Sequence, residues 1–526
     1  MASYSTIIKN GIIFDGTGGS PKRADIGIIE DKIKKIDNFK NDTAPIIIDA
    51  ANRFVAPGFI DLTTHSDTHW TLFSQLAQES FIRQGVTTIF GGHGGSSLAP
   101  LVKAENIEAI QKWVDISKIN INWQSMAEFL SELDQHKIGV NFGTFVGYGT
   151  LRRGVLGDQT RSAQPNEISQ LQFLAESAIQ DGAFGISTNL GTAHENSATN
   201  EEIIEIMKVA KHFNVLVSHH LEDEGKNILP AIARLITLTR ASDVHSHIAH
   251  FKAIGKMAWE QFPQALEMIE EAQRQKMEFT CDFFPYNRTG SNLYSLLPKW
   301  ARESGKKRIL DFITGKERQY LLDSLKELTL HYDKITIAST LRDLDGMGKS
   351  IAELSKRAEL SPEEIILNLL QVNKLQVSIF NEAISEDNIE LLAGKKYSMV
   401  SSDGVGYDIN YRSKIDLPHP RSFGAFPRVF STLVRNKEIL KWEEAIYKMT
   451  GLPAKITGLS DRGIIAPGAY ADIVIFDPKN IADKANYVDP YQFSTGIDYV
   501  LVNGNIALKE NSLTGAGYGR ALRHHV

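Results

Sequence analysis

Eight times along this chain a short β-branched run is followed by a longer amphipathic stretch, and this alternation limits the possible folds more than any other feature. The strand-like runs fall at 59–63, 86–90, 141–146, 183–188, 215–220, 244–250, 278–286 and 397–403, and each ends in polar or glycine-rich residues. Helix-patterned segments lie between them, among them 166–181, 200–213 and 263–276. Eight strands alternating with helices predict an α/β chain folded as a (β/α)8 TIM-type barrel, whose chemistry sits where the strands end. The seventh and eighth runs are about 110 residues apart, far beyond an ordinary βα connection. An insertion is therefore expected there, over about 287–340.

The two ends of the chain have a different texture. Short apolar runs in the first 57 residues are separated by Gly, Asn, Asp and Pro turns, and the same pattern returns near the C-terminus. Asn503-Gly504 between two apolar runs is a strong hairpin signal. Both β-rich ends are expected to meet as one small β-sandwich domain, 1–57 with 452–526, around a barrel domain at 58–451.

Composition narrows the partners. A formal net charge of −6 over 526 residues argues against a nucleic-acid footprint, which needs clustered Lys and Arg. Cys281 is the only cysteine, so no disulfide can form within the chain. The opening MASYSTIIKNG lacks a basic segment followed by an apolar one, and no run approaches the ~18 apolar residues of a membrane span. A cytoplasmic protein acting on a small molecule is expected, with neither membrane nor nucleic acid as partner.

The polar residues of interest cluster at the strand ends. His65 follows the first run, His93 the second in Gly91-Gly92-His93-Gly94-Gly95, His220 ends the fifth, His250 the sixth, and Asp403 the eighth. A parallel barrel brings these ends to one mouth. Neutral imidazoles and a carboxylate converging there suit Zn²⁺ with one position left for water. Strand alternation then turns His245 and His247 away from His250, and His219 away from His220. His419 reads as loop structure and His524 and His525 as solvated.

These motifs, taken in order, carry a resemblance. They are Pro57-Gly58-Phe59-Ile60-Asp61 with His65 and Asp67, Ser97-Leu98-Ala99-Pro100, His220-Leu221-Glu222-Asp223-Glu224-Gly225, His250-Phe251-Lys252, Phe284-Pro285-Tyr286 and Ser402-Asp403-Gly404, followed by the stretch from His419-Pro420-Arg421 to Pro427-Arg428. The chain resembles the N-acyl-D-amino-acid deacylase (D-aminoacylase) group of the amidohydrolase superfamily nearly end to end. That resemblance implies zinc-dependent hydrolysis of the amide bond of N-acyl-D-amino acids. It implies one tightly bound Zn²⁺ on His220 and His250, with Asp403 as general base and then acid. It assigns Lys252 and Arg421 to the substrate carboxylate, and Tyr286 or a near neighbour to a substrate or oxyanion contact.

The chain departs from the family pattern at three places. The family's cysteine after strand two falls on His93, which becomes the third expected ligand. The superfamily's His-x-His after strand one is Thr63-Thr64-His65, so His65 is left as a weak ligand of a crippled second site. A family tyrosine after strand four falls near Thr192. Two other readings compete: a cyclic-amide hydrolase on the same barrel, and a catalytically silent homologue. Thr63, and a fourth run without a terminal lysine, argue against the first; retention of Asp403, His220, His250 and Arg421 argues against the second.

Overall fold

The computed structural model describes residues 4–39, 42–103, 106–107, 119–302, 305–328, 330–342, 344–412, 416–515 and 517–525. The eight barrel strands are Phe59–Asp61, Val86–Gly91, Asn141–Thr144, Gly185–Asn189, Leu216–His220, Ser246–Ile248, Phe279–Phe283 and Ser398–Val400. They are numbered one to eight below. Strands one to three and four to eight pair in parallel, each with its neighbour. Ile186 pairs with Val146 and Phe184 donates to the Thr144 carbonyl, joining strand four to strand three. Strand eight meets strand one through the Asp403 N–H on the Thr63 carbonyl and the parallel bridge Thr64 to Gly404. The barrel is closed.

A parallel sheet covered by helices buries both faces, so its strands read as continuous apolar runs rather than alternating ones. Val86–Gly91 is buried at every residue. Ile60, Phe90, Phe145, Phe184, Leu216 and Met399 pack against one another as an apolar plug, with Phe184 edge-on to Phe90. Polar side chains therefore gather above this plug, toward the strand ends.

Both termini build one nine-stranded sheet. Thr6–Ile13 pairs with Ile46–Asp49 along its first half and with Phe54–Pro57 along its second. Phe54–Pro57 pairs with Ile473–Phe476, which carries the C-terminal hairpin. Residues 468–471, which lead into the central strand Ile473–Phe476, bond Asp31 and Ile33 at the start of the edge strand Lys32–Asp37, so the sheet folds around a shared Ile-rich core.

Between strands seven and eight lies a module with its own core, which includes Leu293, Ile313, Leu321, Ile337, Leu370 and Ile379. Its antiparallel sheet places Val377–Glu382 between Arg288–Asn292 and Ile335–Thr340. The module thus extends past the expected 287–340, because its central strand arrives last in sequence. The Ile384 N–H donates to the Asn287 carbonyl and closes the neck. Ser361 and Glu364 form a capping box ahead of Pro362–Val372, fixing where that helix begins. Among the described residues no helix is long and apolar enough to cross a membrane.

Candidate active site

Two of the expected residues sit in strained backbone. His250 has φ 39° and Asp403 φ 49°, the left-handed region that a side chain other than Gly or Asn rarely adopts. Both lie just beyond a strand that has already ended, at Ile248 and Val400. The strain is held by buried bonds: His250 N–H donates to Asp282 Oδ1 at 2.7 Å, and Asp403 N–H to the Thr63 carbonyl at 3.0 Å.

His220 and His250 face each other, with Nδ1 of the first 2.9 Å from Nε2 of the second and ring centroids 4.5 Å apart. Burial, reinforced by the neighbouring His250, lowers the His220 pKa to about 3, so its ring is neutral. Below them Glu224 accepts from Lys252 Nζ at 2.7 Å and lies 3.3 Å from His250 Nδ1. Burial pushes this carboxyl upward, but Lys252 and the two imidazoles hold it well below the usual range. Lys252 Nζ also lies 2.9 Å from His250 Nδ1 and donates to the His250 carbonyl, so it braces that ring on two sides.

Asp403 is gripped at both oxygens. His65 Nε2 lies 2.8 Å from Oδ1, and Arg421 Nη1 2.7 Å from Oδ2. Burial opposes ionisation, yet Arg421, His250 and His65 together keep the carboxyl well below the ordinary carboxylate value. The Arg421 guanidinium lies 4.7 Å over the Phe284 ring, and Lys252 Nζ lies 5.8 Å from the same ring. Arg421 Nε is buried and has no hydrogen-bond partner among the described residues, a donor left available to a ligand.

His93 and Tyr286 lie apart from this cluster. His93 Nε2 is 2.5 Å from the Leu62 carbonyl and Nδ1 3.5 Å from Ser218 Oγ, two residues before His220. Burial lowers its pKa to about 3, so this ring too is neutral. Asp67 Oδ2 accepts the Gly92 N–H at 2.6 Å and ties down the loop that carries His93. Tyr286 turns its hydroxyl onto the Pro420 carbonyl at 3.4 Å, beneath Arg428. Position 284, a phenylalanine, is the one that faces both cations. Thr192 is exposed, and its hydroxyl donates to the Asn189 carbonyl at 3.0 Å.

Three residues outside the expected set complete the site. Glu224 lies within the fifth-strand motif. Asp282 collects Thr63 Oγ1 at 2.5 Å, Ser401 Oγ at 2.6 Å, His250 N–H and His247 Nε2 at 2.8 Å. Burial opposes its ionisation, but these partners, His247 foremost, hold its pKa down to about 2. His247 therefore points into the barrel, contrary to strand alternation counted back from His250. The count fails because the strand stops at Ile248 and His250 follows a left-handed turn. The period-two pattern counted along 246–248 and 279–283 instead would have placed His247 and Asp282 on one face.

A closed (β/α)8 barrel with facing imidazoles at the ends of strands five and six, and an arginine-held aspartate beyond strand eight, defines an amidohydrolase-type hydrolytic site. Comparison with known proteins narrows the class. The amidohydrolase family model matches residues 414–508. D-aminoacylase of Alcaligenes xylosoxydans xylosoxydans is 30% identical, covering 99% of this chain and 97% of the relative. N-acyl-D-glutamate deacylase of the same organism is 28% identical over 95% of this chain and 92% of its own length. The solved N-acyl-D-glutamate deacylase of Bordetella bronchiseptica holds zinc and a phosphonate mimic of the tetrahedral intermediate. It matches with a TM-score of 0.84 at 26% identity, covering 99% of this chain and all of that one. The chain belongs to the N-acyl-D-amino-acid deacylase group of the amidohydrolases.

Proposed function

We propose that this enzyme hydrolyses the amide bond of N-acyl-D-amino acids, releasing a carboxylate and the free amino acid. The observation that carries this reading is the Arg421–Asp403 pair, set beside His220 and His250 with Arg421 Nε unpartnered. An anion-binding group and a proton acceptor then stand next to a two-imidazole donor pair. The full-length relatives and the zinc-bound neighbour support the same substrate class.

The donor set fits zinc in part. The imidazole nitrogens His220 Nδ1 and His250 Nε2, 2.9 Å apart, lie close to the roughly 3.3 Å that tetrahedral zinc with ~2.0–2.1 Å bonds would span. No three His, Cys, Asp or Glu side chains among the described residues converge as a ready cage. His220 and His250 would hold the ion. His93, whose Nδ1 lies 3.5 Å from Ser218 Oγ and whose Nε2 is engaged by the Leu62 carbonyl, would be the third donor. Thr63 is spent on Asp282 and His65 on Asp403, so one ion is expected. When bound, zinc supplies a water of lowered pKa and polarises the scissile carbonyl.

The remaining work belongs to this chain's residues. Arg421, with Lys252 across the Phe284 ring, receives the substrate carboxylate, and the guanidinium fork fixes its orientation. With one oxygen on His65 and the other on Arg421, Asp403 rests ionised. An incoming carboxylate competes for Arg421, loosens its hold on Oδ2 and raises the basicity of Asp403 where a proton must be taken. Asp403 accepts the proton from the attacking water and passes it to the departing amine nitrogen. Chelator-stripped and zinc-reconstituted protein, assayed on a series of N-acetyl-D-amino acids, tests the reading. Amine release should vanish on stripping and return at one zinc per chain; undiminished release from metal-free protein would refute it.

A further inference from the structure

The turn that delivers Arg421 carries a histidine that the steps above leave unused. His419 is 7% exposed. Its Nε2 lies 3.0 Å from the carbonyl of Arg288, in the first strand of the inserted module, and its Nδ1 accepts the Arg421 backbone N–H at 3.1 Å. A carbonyl cannot donate and a backbone N–H cannot accept, so the two contacts select one tautomer, with the proton on Nε2. The Arg421 N–H opens the helix Arg421–Arg428, where Ser422 and Phe423 donate to the His419 and Pro420 carbonyls and the N-cap Pro420 has no side-chain acceptor to offer the Arg421 N–H. His419 Nδ1 supplies one.

Three parts of the molecule close on this ring, each nearly perpendicular to it. Tyr286 comes from beyond barrel strand seven, Phe380 from the central strand of the module, and Tyr487 from the segment joining two strands of the terminal β domain. Their centroids lie 5.4, 5.4 and 5.2 Å from that of His419. Arg288 in turn lies 4.5 Å over the Tyr487 ring and bonds Glu382 at 2.9 Å. The module's strand passes close overhead at Gly290, where a Cβ would stand 3.4 Å from His419 Cδ2 and 3.8 Å from Arg421 Nη2.

We propose that His419 is a positioning residue that ties the inserted module to Arg421, so that where the module sits governs recognition of the substrate carboxylate. The proposal rests on the reading of Arg421 as the carboxylate-binding group. A shift of the module's first strand moves the Arg288 carbonyl, the ring follows, and the start of the Arg421 helix loses its acceptor. The guanidinium then no longer lies squarely between Asp403 and the incoming anion.

The test compares His419→Phe, which fills the space but neither donates nor accepts, with His419→Asn, which keeps an acceptor near Nδ1. Hydrogen–deuterium exchange is read for 288–292 and 421–428 in the full-length enzyme, with KM and kcat for an N-acetyl-D-amino acid and its uncharged carboxamide. His419→Phe should speed exchange in both segments and raise KM for the carboxylate about 10-fold, the scale of one lost hydrogen bond. The carboxamide KM should stay put, and His419→Asn should recover most of the loss. Unchanged exchange in both segments, or equal KM rises for both substrates, would overturn the proposal. If wild-type enzyme turns over neither substrate, the deacylase reading falls, and the exchange data still decide the role of His419.

Discussion

Asp403→Asn separates proton transfer from scaffolding at this site. The left-handed backbone at φ 49° tolerates Asn better than almost any other residue, so the turn survives the change. The side chain can also keep both contacts. Its oxygen continues to accept from Arg421 Nη1, now 2.7 Å from Oδ2, while its amide donates to His65 once that ring shifts its proton to Nδ1. The loss is then an ion pair with Arg421 exchanged for a bond from the same guanidinium to a neutral amide, and a carboxylate–imidazole bond exchanged for a neutral one, about 1–3 kcal/mol of local stability in total. The chemical loss is larger. Without a group to take and return the proton, kcat should fall by about 10²–10⁴, or roughly 3–5 kcal/mol of barrel-mouth catalysis. The assay is kcat and KM on an N-acetyl-D-amino acid, with zinc per chain and melting temperature measured on the same sample. Zinc at the wild-type level, a small melting shift and a hundredfold or greater drop in kcat are expected, on the scale of about 10²–10⁴. A kcat within about 10-fold of wild type at equal zinc would remove Asp403 from the proton path.

Other outcomes follow from the same geometry. Asp282 has a depressed folded-state pKa of about 2, so its contribution to stability is fully present above the unfolded carboxylate value and is lost as pH falls from there toward 2. That contribution is worth about 2 kcal/mol, and melting temperatures of Asp282→Asn from pH 6 down to ~3 should show a flatter acid decline than wild type; parallel curves would count against it. Replacing His220 with Ala should cost most of the bound zinc measured by mass spectrometry, because its partner imidazole alone is a poor site. Phe284→Tyr places a hydroxyl at the position facing Arg421 and Lys252 and should change kcat/KM measurably, whereas Tyr286→Phe, whose hydroxyl rests on Pro420, should leave it within about 3-fold.

The barrel was legible in the sequence because buried parallel strands are apolar throughout, and each of the eight runs overlaps an observed strand. The meeting of the termini was legible too, since both ends carried the same turn-rich β pattern. The inserted module was only half visible. Its central strand, Val377–Glu382, pairs with partners tens of residues earlier, and local patterning carries no trace of such pairing. In the site, the residues named from their position at strand ends, His220 with His250 and His65 with Asp403, do come together, and Arg421, named from the resemblance, joins Asp403. What escaped were the groups that hold them. Asp282 and His247 were hidden by an alternation counted through a left-handed turn. Glu224 gave no signal of its own, because its role depends on Lys252 and His250 arriving from the next strand. Tyr286 or a near neighbour was assigned by the resemblance alone; the strand stops at Phe283 and the Tyr286 hydroxyl turns onto the Pro420 carbonyl, which no sequence pattern signals.

Stereochemistry and bond type, read together in one assay, test the deacylase activity most directly. Zinc-reconstituted enzyme is incubated with matched N-acetyl-D- and N-acetyl-L-amino acids and with a hydantoin, and released amine and acetate are quantified against time. The account predicts equimolar amine and acetate from the D series, a D-over-L preference in kcat/KM of at least about 100-fold, and an intact hydantoin ring. Ring opening of the hydantoin with no turnover of any linear N-acetyl amino acid would contradict it.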